Sequence, residues 1–269
     1  MSIKRTLSVE KIIELYLQGQ SCKEIGLLSN CGGANILKIL RENNIKRRIG
    51  VNQKYKINES YFEKIDTQEK AYFLGFLYAD GCNYTKRNNV CMVQHEKDKD
   101  ILQQLNNLIQ PDKPLLYLPA RQKINNSSPQ YAISIINKKV SADLNRLGCI
   151  PAKSLILTFP NSDIVPEHLI SHFMRGYFDG DGCVCIYKSG IAFTVTSTEQ
   201  FLKTYQDILI SKLNISKTVF GIPPYAKENN SSTRVLQYGG LKQMLKIRDF
   251  LYKGATIFMD RKHDKFFSL

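Results

Sequence analysis

The sequence predicts an α+β protein in which a small all-α unit precedes two similar halves, each in the order α-β-β-α-β-β-α. One observation is a repeated stretch, residues 71–81 and 173–182, in which an apolar helical pattern ends in Asp-Gly before a β-prone run. A second is that the same succession of helical and alternating patterns follows each copy. The third is a short, basic helical region at the N-terminus. The final aspartates of the copies, Asp80 and Asp181, are 101 residues apart, about the length of a small domain.

Residues 8–45 show three short amphipathic patterns separated by turns. Ser8 is suited to cap the first helix, without a full capping box, and Ser21 to cap the second. The third helix, 34–43, follows the break Asn30-Cys-Gly-Gly33 and is polar and basic on its free face. Short helices joined by a turn, the second of them basic, are typical of a helix-turn-helix; a purely structural three-helix bundle is the alternative.

The run Ile-x-Glu-Leu-Tyr-x-x-Gly-x-Ser-x-x-Glu-Ile, within residues 12–25, resembles the helix-turn-helix of resolvases and invertases, which implies DNA binding. Residues 1–56 carry 11 basic and 4 acidic side chains, so half of the net charge lies in this fifth of the chain. Such a surplus could bind backbone phosphates. The residues that we expect to contact DNA here are Asn35, Lys38, Arg41, Arg47 and Arg48.

Composition divides the chain into four parts. Residues 1–48 form the helix-turn-helix domain, and 49–60 form a basic linker with few apolar side chains. A first subdomain covers 61–160 and a second 161–269. The linker is equally suited to lie in the DNA minor groove or to be a solvated tether.

In each half, β-prone runs and amphipathic patterns follow one order. Helices other than the two repeated stretches are expected at 98–109, 140–147, 198–213 and 241–252. Polar loops are expected at 120–129 and 226–233. Strands are expected at 82–84, 90–94, 115–118, 130–136, 183–187, 191–196, 219–222 and 235–238.

Composition and charge exclude several classes of protein. No run approaches the eighteen or so apolar residues that span a bilayer, and the N-terminus lacks the apolar core of a signal peptide. We expect a soluble, intracellular protein without a membrane partner. None of the seven cysteines stand in Cys-x-x-Cys spacing, which favours reduced thiols over a zinc site. The net charge of +14, from 38 basic and 24 acidic residues, favours nucleic acid as the partner.

The two repeated stretches resemble the paired LAGLIDADG motifs of monomeric homing endonucleases. The first reads Phe73-Leu-Gly-Phe-Leu-Tyr-Ala-Asp-Gly81 and the second Met174-Arg-Gly-Tyr-Phe-Asp-Gly-Asp-Gly182. Together with Leu147-Gly-Cys-Ile-Pro-Ala-Lys-Ser154, the second motif is similar to the version found in inteins. The resemblance covers about residues 60–265 and implies that family's fold. Tyr78 departs from the motif where Asp179 keeps its acid, at a position that is not the family's metal ligand.

The physical chemistry of the repeat agrees with this resemblance. Two helices approach closely only where small residues meet, and Gly75, Ala79, Gly176 and Gly180 share such a face by their spacing. The resemblance implies that the helices bring Asp80 and Asp181 together. Paired carboxylates repel each other unless a divalent cation binds, and a site of hard oxygen ligands suits Mg²⁺ or Mn²⁺. We therefore expect both aspartates to be metal ligands and catalytic residues, one for each DNA strand.

The resemblance also implies one basic residue near each metal, to stabilise the phosphorane or polarise water. Lys153 matches the family's lysine in the context Leu-Gly-x-x-x-x-Lys-Ser. In the second half we expect Lys262, with Lys253 as the alternative. His168 and His172 are four residues apart, but without a third ligand nearby they favour a surface or packing role.

Base recognition is expected from strand residues that face a groove between the two sheets, where side chains with amide or cationic groups read base edges. Each of these is otherwise an ordinary surface charge. The candidates are Arg87, Asn89, Gln94, Arg121, Lys188, Lys227 and Arg234.

The resemblance implies a Mg²⁺-dependent, sequence-specific endonuclease that hydrolyses both strands of DNA as a monomer with internal pseudo-twofold symmetry. The chain lacks the Cys or Ser start and Asn end of protein splicing, so we expect a freestanding enzyme, encoded in an intron or mobile element. The alternative is a DNA-binding regulator, or an RNA-binding intron splicing factor (maturase), that uses the same scaffold without cleavage. Retention of both Asp80 and Asp181 favours cleavage.

Overall fold

A computed structural model describes residues 6–46, 55–120, 128–188, 190–228 and 231–268. The chain divides into two compact units, Met1–Lys54 and Tyr55–Leu269. Three of the expected DNA-contacting residues, Arg47, Arg48 and Arg121, lie outside the described residues. No described helix has the length and apolar character needed to cross a membrane.

The described part of the smaller unit, residues 6–46, contains three helices: α1 (Val9–Leu17), α2 (Cys22–Leu28) and α3 (Gly33–Glu42). Ser8 caps α1, as the sequence predicts. Ser21 and Glu24 form a complete capping box at the start of α2, so two backbone N–H groups there are satisfied reciprocally. The apolar stripes of the helices meet in a core formed by Ile12, Tyr16, Ile25, Ile36 and Leu40.

The first half of the larger unit follows the predicted order. Its elements are α4 (Gln68–Asp80), β1 (Cys82–Tyr84), β2 (Asn89–His95), α5 (Lys99–Ile109), β3 (Leu116–Leu118), β4 (Gln130–Ile136) and α6 (Lys138–Arg146). These four strands form one antiparallel sheet in the order β1-β2-β4-β3.

The second half repeats this order with differences at its end. Its elements are α7 (Ile170–Asp181), β5 (Gly182–Tyr187), β6 (Gly190–Thr198), α8 (Glu199–Leu213), α9 (Pro224–Glu228), β7 (Thr233–Gly239), α10 (Leu241–Tyr252) and α11 (Asp260–Phe267). The sheet of this half is antiparallel in the order β5-β6-β7, equivalent to β1-β2-β4.

Three sequence predictions for this half are wrong. Residues 219–222 form no strand, because only a single bridge joins Gly221 to Val235 and Val219 is 90% exposed. Pro223 and Pro224 follow at once and have no N–H to donate, so the pairing cannot continue. The expected polar loop at 226–233 begins instead within α9, and α11 extends the half beyond α10, where the sequence predicts its end.

The core of the larger unit is built around the pair α4 and α7, whose central residues are buried on all sides. Gly75 and Gly176 lie at the crossing. A Cβ added to Gly75 would overlap the carbonyl oxygen of Phe173, and one added to Gly176 would overlap that of Tyr72. The reciprocal contact of each glycine with the other backbone lets the helices approach more closely than alanine would allow.

Candidate catalytic site

Asp80 and Asp181 are the last residues of α4 and α7, so the crossing of these helices places both carboxylates at one end of the pair. Near this end Gly180 packs on Ala79, and a Cβ added to Gly180 would lie 3.4 Å from Asp80 Oδ2. The small residues predicted from the motif thus allow the two aspartates to approach. Their proximity has an electrostatic consequence, because the negative charge of Asp80 raises the pKa of Asp181.

Asp80 is half-buried, and its Oδ2 accepts a hydrogen bond of 2.5 Å from Nε2 of Gln94. Burial raises the pKa of Asp80, while the hydrogen bond from Gln94 and the positive charges of Lys262 and Lys153 oppose the rise. Gln94 shares a face of β2 with buried Val90 and Met92, away from the open face of the sheet. The amide of Gln94, a residue predicted to read bases, thus donates to Asp80 within the protein.

Water reaches the side chain of Asp181, yet the surrounding protein desolvates its carboxyl group and raises its pKa to about 6. The charge of Asp80 adds to this rise, and the hydroxyl of Tyr177 with the two lysines opposes it. Two crowded carboxylates in such a setting favour binding of a cation or of a proton.

Lys153 is buried, and its ammonium group donates to the carbonyl oxygens of Ala79 and Gly81 at the C-terminal end of α4. Free carbonyl groups at a helix C-terminus carry partial negative charge, which attracts a cation. The lysine predicted for the first half is therefore held by the carbonyl groups of the two residues that flank Asp80 in the sequence.

Lys262 has the equivalent place in the second half. It is 7% exposed, and its Nζ lies 2.8 Å from the carbonyl oxygen of Phe178, 2.6 Å from that of Asp179, 3.2 Å from that of Gly180 and 2.7 Å from that of Gly182. Gly180 and Gly182 correspond to the two carbonyl groups that Lys153 contacts. Burial lowers the pKa of Lys262, and the nearby carboxylates oppose that change.

The alternative lysine, Lys253, is exposed at the end of α10. The symmetry of the lysine contacts therefore favours Lys262 as the partner of Lys153.

A buried polar network that the sequence analysis missed lies beside Lys262. Asp179 Oδ2 accepts hydrogen bonds from the Tyr72 hydroxyl, at 2.7 Å, and from the backbone N–H of Met259, at 2.8 Å. Arg175 is fully buried and donates through Nε to the carbonyl oxygen of Ile257 and through Nη1 to that of Leu251. A charged side chain inside an apolar motif helix was the signal that could have revealed this network.

His172 takes part in the same network. Its Nδ1 lies 2.9 Å from Arg175 Nη1, and burial with the neighbouring guanidinium lowers its pKa to about 4. The ring is therefore neutral at pH 7 and accepts this hydrogen bond, which agrees with a packing role. Among the described residues, no group of three or more His, Cys, Asp or Glu side chains could hold a metal ion.

The two motif aspartates are a donor set that suits a metal bound together with its substrate. Mg²⁺ is commonly held by one or two carboxylates, with water and substrate phosphates at its other positions. Asp80 and Asp181 fit that requirement, and burial raises the pKa of both carboxyl groups against the opposing positive charges of Lys153 and Lys262. Residues that would bind a permanent structural metal are absent from the described part of the site.

A family model described as a LAGLIDADG-like domain matches residues 169–248, from the end of the turn before α7 into α10. The second half contains a LAGLIDADG-like domain. No curated protein matches the sequence.

Solved structures extend the likeness to both halves, and the fold is that of the LAGLIDADG endonucleases. The homing endonuclease I-WcaI bound to its DNA recognition sequence is 11% identical, with a TM-score of 0.55 over 83% of this chain and 97% of that chain. The I-LtrWI LAGLIDADG homing endonuclease bound to target DNA is 13% identical, with a TM-score of 0.45 over 78% and 90%. Full-length DUF199/WhiA from Thermatoga maritima is 15% identical, with a TM-score of 0.45 over 79% and 66%.

The remaining residues expected to contact DNA occupy different surroundings. On α3, Asn35, Lys38 and Arg41 are three residues apart and all exposed. In the LAGLIDADG fold of the larger unit, Arg87, Lys188 and Lys227 are also exposed.

Two predicted base-reading residues are already engaged within the protein. Asn89 accepts a hydrogen bond from Ser134. Arg234 donates to the carbonyl oxygen of Thr233 and lies 3.4 Å from Glu199, on the side of β7 that carries buried Leu236 and Tyr238. Gln237, which the sequence analysis did not select, is exposed on the opposite side of β7.

Proposed function

We propose that this protein is a sequence-specific endonuclease that cuts both strands of DNA by metal-dependent hydrolysis. The observation that carries the proposal is the duplicated arrangement at the ends of α4 and α7. Each helix ends in an aspartate, and each end is held by a buried lysine on equivalent carbonyl groups. A structural helix pair needs neither of these features twice, whereas cleavage of two strands needs both.

Asp80 and Asp181 would hold Mg²⁺ or Mn²⁺, which would supply Lewis acidity at the scissile phosphates and a more acidic water. The chain's own contribution would be to present one carboxylate to each strand of the DNA. Gln94 fixes the orientation of the Asp80 carboxylate. Lys153 and Lys262 bring positive charge to a site where negative charge develops on the phosphate during hydrolysis.

DNA would be bound by the exposed strand faces and by α3 of the smaller unit. The DNA-bound state of I-WcaI and I-LtrWI is consistent with this partner. The net charge of +14 supplies attraction to phosphates along the duplex. Because one chain provides both aspartates, the enzyme would act as a monomer.

Cleavage of a randomised-duplex library with Mg²⁺, followed by sequencing of the new ends, tests this function. We expect cuts at one recurring sequence and no cuts in EDTA. Asp80→Asn and Asp181→Asn should each abolish double-strand cleavage. Each variant should still bind the selected sequence, because the carboxylates are not its main DNA contacts. Specific binding without cuts by the unaltered protein would overturn the proposal in favour of a non-cleaving DNA-binding regulator, and selective binding of structured RNA would favour a maturase.

A further inference from the structure

We propose that Asp179 and Tyr72 are positioning residues for Lys262, and that Tyr78 has the corresponding task for Lys153. The inference rests on the proposed endonuclease function. It assigns a role to the motif position two residues before each aspartate, which is an acid in one helix and a tyrosine in the other. We propose neither residue as a metal ligand.

Lys262 is carried by α11, which follows a connecting segment, residues 253–259, without regular secondary structure. Both motif helices hold this segment. From α7, Asp179 accepts the N–H of Met259, three residues before Lys262, and Arg175 donates to Ile257. From α4, Gln68 accepts the N–H of Thr256 at 3.2 Å.

Tyr72 joins the two helices at this point. Its hydroxyl donates to the same oxygen, Asp179 Oδ2, that accepts the N–H of Met259. The carboxylate is therefore held from the α4 side while it holds the start of α11. Asp179 is 1% exposed, so a misplaced carboxylate would find no water to replace these bonds.

In the first half, a tyrosine holds the segment that leads to the lysine. The Tyr78 hydroxyl donates at 2.5 Å to the carbonyl oxygen of Leu147, in the turn that leads to Lys153. Gly148 follows with a φ of 93°, and a Cβ there would overlap the Tyr78 hydroxyl. Tyr78 is thus fitted to this turn, and an aspartate could not donate to a carbonyl group when ionised.

Since the two networks are separate, loss of each should slow the nicking of a different DNA strand. Lys153→Met and Lys262→Met first identify which nick depends more strongly on each lysine, in single-turnover cleavage of a duplex labelled on both strands. Tyr72→Phe and Asp179→Ala should then slow the nick that depends on Lys262, and Tyr78→Phe the nick that depends on Lys153. We expect about a tenfold change in the ratio of nicking rates for Asp179→Ala, with DNA affinity unchanged.

Two further variants separate positioning from general loss of packing. Asp179→Asn keeps an oxygen that can accept the N–H of Met259, and it should restore most of the normal ratio. Tyr205→Phe removes a buried hydroxyl that donates to the carbonyl oxygen of Met174 on α7, not to the connecting segment. It should leave the ratio of nicking rates at the wild-type value.

Amide hydrogen exchange provides a readout that does not depend on cleavage. Tyr72→Phe and Asp179→Ala should speed exchange in residues 255–262 and not in 147–153, and Tyr78→Phe should do the reverse. Equal slowing of both nicks, or unchanged exchange in these segments, would overturn the proposal. An unaltered protein that cuts neither strand would refute the endonuclease function, and the exchange results would still decide whether the networks hold the lysine segments.

Discussion

Substitution of Gly75 by alanine tests whether the motif helices truly pack backbone against backbone. The new methyl group would overlap the carbonyl oxygen of Phe173 and would lie 2.9 Å from the backbone nitrogen of Tyr177. Because a Cβ has no torsion by which to move away, the helices would have to separate. Gly176→Ala would meet Tyr72 and Phe76 in the same way.

Two effects of opposite sign determine how much the free energy of unfolding changes in Gly75→Ala. Alanine is favoured over glycine within a helix by about 1 kcal/mol. Overpacking costs about 1 to 3 kcal/mol, and contact with rigid backbone on both sides places this case at the upper end. The net loss in the free energy of unfolding is therefore about 2 kcal/mol. In a domain of this size it lowers Tm by roughly 4 to 8 °C.

Thermal unfolding of the full chain provides the assay, with Gly221→Ala as the matched control. A Cβ at Gly221 meets nothing closer than 3.8 Å, so its Tm should change by less than about 2 °C. The double variant Gly75→Ala/Gly176→Ala should lose less than the sum of the single losses, because one separation of the helices relieves both contacts. A Tm for Gly75→Ala that equals or exceeds the wild-type value would refute the close crossing.

Three other predictions concern the site and the smaller unit. Deletion of residues 1–56 should weaken binding to the selected DNA and reduce the slope of log affinity against log salt, since phosphate contacts are lost; unchanged affinity would exclude the small unit from recognition. Asp181→Asn should raise Tm at about pH 8, because the wild-type carboxyl group, with a pKa of about 6, is charged there in a desolvated place. This gain in Tm should vanish near pH 3, where the aspartate is protonated in the folded and the unfolded chain alike. Gln94→Leu should slow cleavage by about tenfold at unchanged DNA affinity, and a selection that returns an altered target sequence would instead restore its role as a base-reading residue.

The duplicated part of the fold was predictable because it depends on local patterns. Helix length, the Asp-Gly ends and strand alternation can each be recognised within a short stretch of sequence. The four-residue spacing of small residues in each motif places Gly75 and Gly176 on the faces where the helices meet. The missing strand at 219–222 shows where such reasoning fails. Its apolar residues satisfy the strand pattern, but the prolines that follow remove the donors that a ladder requires.

The candidate site was predictable only in part, since its details depend on contacts between distant residues. Lys262 and Lys253 are equally basic in sequence, and only the position of α11 brings one of them to the carbonyl groups of α7. Gln94 resembles any amide on a strand until its bond to Asp80 is seen. Arg175 and Asp179 become partners of residues 251–259 only after the chain has turned back on α7.

In the proposed endonuclease, the close crossing of α4 and α7 would fix the spacing of the two cuts. The distance between the two carboxylates is set by contacts of Gly75, Gly176 and Gly180 with the opposite helix, and none of these contacts involves a strand residue. Changes on the faces of the β-strands would therefore alter which bases the proposed enzyme recognises without altering how far apart it makes the two cuts. The stagger of the cleaved ends should stay constant across variants of different specificity, as a property of helix packing and not of the DNA sequence.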